Sequence, residues 1–309
     1  MSISADYFVI LAFVGLMVTS GTFWIGAQRG LLPWLNRYDD EPAPTLKPWS
    51  LLDLAMMLMF VIGSIGVAQA WALQGIDHGG PIQLVNLDPT TRVRMVWATS
   101  IGTLVGMICA LTFIKSRHKL TLRELIGDWR YWRRDLARGV TLFLLVTPPV
   151  LALQMGLTQL FPSHHPLIQI VLKDPEPRFL WASGVSAVLC APLVEEFQFR
   201  VLLQGWLQLV ASKRVPVERW LIGVSYAPNF KEADLRTTPA PTSWWPVVGS
   251  SLFFAAVHWN HGPDLFFFAL GLGWLYRRTG RALPSIIVHF LLNLWTLGLL
   301  LLKVYGSNG

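Results

Sequence analysis

The sequence predicts an all-α, polytopic integral membrane protein with about eight transmembrane helices around a polar intramembrane cavity. Three observations carry that expectation. Of 309 residues, 53% are hydrophobic and only 14% charged, too apolar a balance for a water-soluble domain. The apolar residues gather in stretches, most of them near the ~20 residues that cross a ~30 Å hydrocarbon core. The basic residues crowd alternate connections, as the positive-inside rule requires.

In chain order the stretches run roughly Tyr7–Ala27, Ser50–Leu73, Met95–Ile114, Gly139–Phe161, Phe179–Val210, Trp245–Trp259, Asp264–Tyr276 and Ala282–Leu302. The first is long and lacks a basic leader, so it reads as a span and not as a cleavable signal. The sixth and seventh are short and predict a tilted or partly inserted hairpin around Asn260-His261-Gly262-Pro263, whose backbone must be covered by protein. Residues 1–309 are expected to form one membrane domain, with helices of unassigned role in 1–178 and the chemistry in 179–309. Pro42, Pro44, Pro48 and Pro239-Ala240-Pro241 mark loops. Cys109 and Cys190 lie in apolar segments and imply no disulfide framework.

With the N-terminus outside, the connections Gln28–Trp49, Lys115–Arg138, Lys213–Trp244 and Arg277–Arg281 lie on the cytoplasmic side. They hold three, eight, five and three Lys/Arg, 19 of the 25 in the chain. The net charge of +7 is therefore a topology signal and not a nucleic-acid footprint. The Lys115–Arg138 stretch, with Trp129, Tyr131 and Trp132 interleaved, reads first as the loop that sets topology and second as a surface for anionic lipid. His78, His118, His164, His165 and His261 read as loop residues.

Of 18 acidic residues only Glu195 and Glu196 fall deep in a span, and Arg200 is the lone cation there. Ionisable groups at that depth cost roughly 2.5–3.5 kcal/mol each, so they persist where they pair or do chemistry. On a helix Glu196 and Arg200 share a face and can pair. Glu195 points about 100° away and is free to act as a general base on water. The bland alternative is a clamp between helices. Two later spans add His258, closing Phe253-Phe254-Ala255-Ala256-Val257-His258, and the i,i+4 pair His289 and Asn293. Each histidine alone reads as a satisfied core residue. With Glu195 they make the set that water-mediated amide hydrolysis needs, a base, an orienting imidazole and donors for an oxyanion.

These residues resemble the CPBP family, the CAAX prenyl-endopeptidase and bacteriocin-processing membrane proteins that include the eukaryotic Ras-converting endopeptidase. Ala191-Pro192-Leu193-Val194-Glu195-Glu196-Phe197-Gln198-Phe199-Arg200 is similar to the family's EExxxR motif, Phe254 to His258 to its FxxxH motif, and Leu275 to Asn293 to its last motif, HxxxN or HxxxB. All three fall in order over about 110 residues from Ala191 onward. The resemblance implies a CPBP-like catalytic core in 179–309, with Glu195 activating water, His258 assisting, and His289 with Asn293 as the oxyanion hole. Glu196 and Arg200 are implied supports of the site.

The expected activity is a membrane-embedded endopeptidase acting on a peptide or lipidated peptide, CAAX-type or bacteriocin-like, in a bacterial inner membrane among membrane lipids. No cofactor is expected, although Glu195, His258 and His289 would also serve as ligands for a divalent metal such as zinc. A non-catalytic scaffold or immunity protein and a proton-coupled transporter are the alternatives. Gly184-Val185-Ser186-Ala187 faintly resembles a rhomboid serine motif and Ile126-Gly127-Asp128 an aspartyl-protease Gly-Asp, and both read as structural. The sequence sets no oligomeric state. In an unbent topology His258 falls near the outer end of its span and His289 near the inner end of its own. The site then requires a short hairpin, or an α-helix tilted or kinked near Pro192.

Overall fold

The computed structural model describes residues 5–35, 40–76, 83–157, 170–171, 175–213, 215–226, 231–259 and 263–306. His78, His164, His165, Asn260, His261 and Gly262 lie outside the described residues. Among those described there is no strand, only an isolated bridge between Thr45 and Pro239. Eight principal helices follow in order: α1 Ala5–Gln28, α2 Leu51–Ala72, α3 Pro89–His118, α4 Trp132–Leu157, α5 Pro177–Ala211, α6 Trp245–Val257, α7 Asp264–Thr279 and α8 Leu283–Gly306.

Local chemistry sets the ends. Ser50 caps α2 in a reciprocal box with Asp53, whose carboxylate accepts from the Ser50 N–H at 2.7 Å. Asp88 caps α3 ahead of Pro89. Gly280, at φ +65°, closes α7 in the left-handed region that favours glycine.

Six of the helices, α1 to α5 and α8, are long and apolar enough to cross a membrane. The expected short hairpin is α6 and α7, of 13 and 16 residues. At 1.5 Å per residue α6 rises about 20 Å and stops short of a full crossing. Large apolar side chains such as Ile10, Val18, Ile62, Val67, Ile101 and Ile108 are exposed along α1 to α3, as lipid-facing surfaces require.

Helix α3 lies against α2 through Gly102 and Gly106. A Cβ added at Gly106 would meet the Val61 Cα at 2.5 Å, so only glycine permits this approach. All four basic connections meet on one side of the bundle. Leu46 N–H donates to Thr238 O and Ala240 N–H to Pro44 O. Arg281 holds Asp135 with contacts of 2.6–3.0 Å, and Arg236 holds Glu124 at 2.9 Å. Arg219 donates to Pro48 O at 2.8 Å. That shared side is what alternating passes produce, and it agrees with the charge count. Helix α5 is the most buried of the long helices and α1 and α2 the least, so the charged stretch of α5 sits at the centre of the molecule.

Candidate active site

Helix α5 is not a regular α-helix. Two π-helical turns, Ser186–Cys190 and Phe197–Gln204, flank the α-helical Ala191–Glu196 segment. Where a π-turn returns to α-register, one carbonyl is passed over and loses its helical donor. At the first turn the Ala191 N–H reaches back to Ser186 O, so Ala187 O is skipped. Pro192 follows and has no N–H to offer. The missing donor comes from α8, where Asn293 Nδ2 lies 2.7 Å from Ala187 O. At the second turn the Gly205 N–H bonds to Arg200 O and Leu202 O, passing over Val201 O. The indole N–H of Trp49, in the connection before α2, donates to that oxygen at 2.7 Å. A Cβ at residue 205 would lie 2.6 Å from the indole nitrogen, which is why a glycine stands there. Near Pro192, where a tilt or kink is one expectation, the structure has these π-helical turns on either side of Ala191–Glu196.

Helix α6 runs antiparallel to the second half of α5. A Cβ at Gly249 would come within 3.2 Å of Leu207. Ser250 Oγ donates to Gln204 Oε1 at 3.3 Å, and Phe254 packs edge-on against Phe199 at 5.1 Å. One turn further on, His258 arrives beside Glu195. The shortness of α6 therefore places its C-terminal histidine at the level of the carboxylates instead of at the far surface.

The two adjacent glutamates occupy different environments. Glu196 is fully buried and spends both oxygens on partners, Arg200 Nε at 3.1 Å and His289 Nδ1 at 3.0 Å. Glu195 keeps 24% of its side chain exposed, and its Oε2 lies 3.5 Å from His258 Nε2 and 3.9 Å from His289 Nε2. His258 Nδ1 sits 2.8 Å from Phe254 O. A carbonyl only accepts, so Nδ1 carries a proton, and Nε2 is left facing the Glu195 carboxylate. Phe254 is the hub of the cluster, stacked on His258 at 4.5 Å, edge-on to His289 at 5.9 Å and beneath the Arg200 guanidinium at 5.2 Å. Phe268 closes the other edge of His289 at 5.7 Å.

The structure thus joins Glu195, Glu196, Arg200, His258 and His289 in one contact network. Asn293 lies one turn beyond His289, with one amide proton engaged by Ala187 O. Among the described residues no group of three or more His, Cys, Asp or Glu side chains is arranged to hold a metal ion. Ser186 belongs to the first π-turn, where its carbonyl accepts from Ala191. Asp128 caps a short turn through the Arg130 N–H at 3.0 Å, and Gly127 before it has φ +110°, so both weak protease-like motifs have local structural roles. Trp49 was missed by the sequence reading, and nothing in its local pattern announces a partner 152 positions away.

Residues 177–295 match the family model described as type II CAAX prenyl endopeptidase Rce1-like. Over 120 residues the chain is 31% identical to an undecaprenyl-diphosphatase of Chlorobium phaeobacteroides. That match covers 39% of this chain and 38% of the relative's length. No solved structure matches.

Proposed function

We propose, from the match of residues 177–295 to the Rce1-like family model, that the protein is an intramembrane endopeptidase of the CPBP type with Glu195 as its base. The observation that carries the proposal is the convergence of His258 and His289 Nε2 on the one reachable carboxylate, at 3.5 and 3.9 Å. Separations of that size leave room for a water hydrogen-bonded to Glu195 and to the imidazoles.

In the proposed reaction Glu195 takes a proton from this water as its oxygen attacks the scissile carbonyl. His258, proton on Nδ1, accepts from the same water and fixes its direction. His289 and the second amide proton of Asn293 face the oxygen that becomes negative. To donate there His289 must hold a proton on each nitrogen, and the Glu196 carboxylate at Nδ1 compensates that charge. Glu195 then returns its proton to the leaving amine as the C–N bond breaks.

The substrate class we propose is a membrane-associated peptide, CAAX-type and lipidated or bacteriocin-like, cleaved in a bacterial inner membrane. Hydrolysis of a polyprenyl diphosphate, the activity in the relative's name, fits the pocket less well. Among the described residues the one arginine or lysine within ion-pair distance of the glutamates, Arg200, is fully buried with its Nε on Glu196, so its guanidinium is not exposed to a diphosphate.

Glu195→Gln keeps the shape and removes the base. Cleavage of a farnesylated CAAX peptide should fall at least about 100-fold while the melting temperature stays within error. Unchanged cleavage would overturn the proposal. Phosphate release from undecaprenyl diphosphate, and peptide cleavage before and after chelation, test the diphosphatase and metal-dependent alternatives on the same preparation.

A further inference from the structure

One face of α3 changes character along its length in the order of a phospholipid. Ile101, Val105 and Ile108 form an exposed apolar stripe at helical spacing. The same stripe continues through the exposed Thr112, Lys115 and Lys119. At this end a cavity of ≈ 410 Å³ is lined by Thr112, Lys115, Ser116 and Lys119 on its polar side, and by Leu111, Leu120 and Leu122 on the other.

The nearby acids are engaged elsewhere. Asp53 holds His118 at 2.9 Å and Arg117 at 3.4 Å. Glu124 holds the Thr121 hydroxyl at 2.8 Å and Arg236 at 2.9 Å. Among the described residues neither Lys115 nor Lys119 has an acidic partner within ion-pair distance. Like charges one turn apart repel. The α3 C-terminus tolerates cations because of its dipole, but the dipole does not account for a cavity combining ammonium and hydroxyl groups with leucines at the membrane boundary.

The geometry points to a binding site for an anionic glycerophospholipid, with its phosphate between Lys115, Lys119 and Ser116 and an acyl chain along Ile108, Val105 and Ile101. The continuous apolar stripe favours a lipid over a free phosphate, because a soluble anion makes no use of it.

Titration of the purified full-length protein with phosphatidylglycerol, read by native mass spectrometry against phosphatidylcholine, tests this. The wild type should prefer phosphatidylglycerol. Lys115→Met with Lys119→Met should weaken that lipid about 30-fold, about 5-fold per lysine, and leave phosphatidylcholine binding unchanged. Arg130→Met, in the same basic stretch but outside the cavity, should have no effect. Should the double variant fold poorly, Lys115→Gln alone is read for its 5-fold share. Retained affinity in the lysine variants, equal loss in Arg130→Met, or full competition by sodium phosphate would each overturn the assignment.

Discussion

Replacing Asn293 by leucine puts an apolar side chain of similar size on α8 and removes the donor 2.7 Å from Ala187 O. That oxygen is skipped by the π-turn and followed by Pro192, so no backbone N–H is placed to take over. Leaving a buried acceptor unpaired costs about 1–3 kcal/mol, an upper bound here because the Asn293–Ala187 bond lies on an exposed face. Side-chain hydrogen bonds between membrane helices average nearer 0.6 and reach about 1.7 kcal/mol. A loss of about 1 kcal/mol, roughly fivefold in the unfolding constant, follows for Asn293→Leu. Asn293→Asp should be worse, because an ionised carboxylate sets an oxygen against the carbonyl. Equilibrium unfolding in micelles, followed by intrinsic tryptophan fluorescence and by far-UV dichroism, measures both. Stability that is unchanged in the leucine variant, or an aspartate variant that melts with the wild type, would refute the capping argument. Turnover is a separate readout. If the second amide proton serves the oxyanion, kcat falls by about 10²–10³, beyond what so small a stability loss explains.

Two further outcomes follow from the structure. Arg200→Met strands the fully buried Glu196 and should cost about 3–5 kcal/mol, with part recovered on adding Glu196→Gln; a wild-type unfolding curve for the single variant would contradict the ion pair. Burial pushes the Lys47 ammonium down to about 8 from 10.5, partly offset by Glu124. The unfolded chain therefore binds more protons between those values, and stability should rise from pH 8 toward 10.5 and be insensitive to this group below 8. Across that range the wild-type melting temperature should rise relative to that of Lys47→Met, which lacks the group.

Much of the site was legible because its residues are costly where they stand. Glu195, Glu196 and Arg200 interrupt an apolar run, and a charge at that depth announces a partner or a reaction. His258, His289 and Asn293 stood out as polar groups within spans. The sidedness of the bundle was readable as well, since Lys and Arg counts report loop placement directly. What the sequence hid is backbone register. A π-turn has no residue pattern of its own, and Pro192 signals an irregularity without giving its form. The donors that stabilise these turns, Trp49 and Asn293, come from elements remote in sequence, 152 and 106 positions away. The depth of His258 was hidden for a related reason. It depends on where α6 begins relative to α5, and that is fixed by Leu207, Gln204 and Phe199 across the interface. Gly102 and Gly106 show the same limit: their spacing is visible, but the helix they admit is not.

The difference between Glu195 and Glu196 follows from these long-range contacts. Neighbouring carboxylates on one helix would both seek cations, and among the described residues Arg200 is the one arginine or lysine within ion-pair distance of either. The π-segment from Phe197 to Gln204 carries Arg200 where its Nε meets Glu196 at 3.1 Å, and His289 satisfies the remaining oxygen. Glu196 is thereby neutralised and fixed. Glu195 is the member whose side chain stays partly accessible and faces two imidazoles. Trp49, from the first half of the chain, pins the same π-segment at Val201. Under the proposed mechanism this ties the connection before α2 to the site, through the backbone that sets which glutamate is held by Arg200 and which stays accessible.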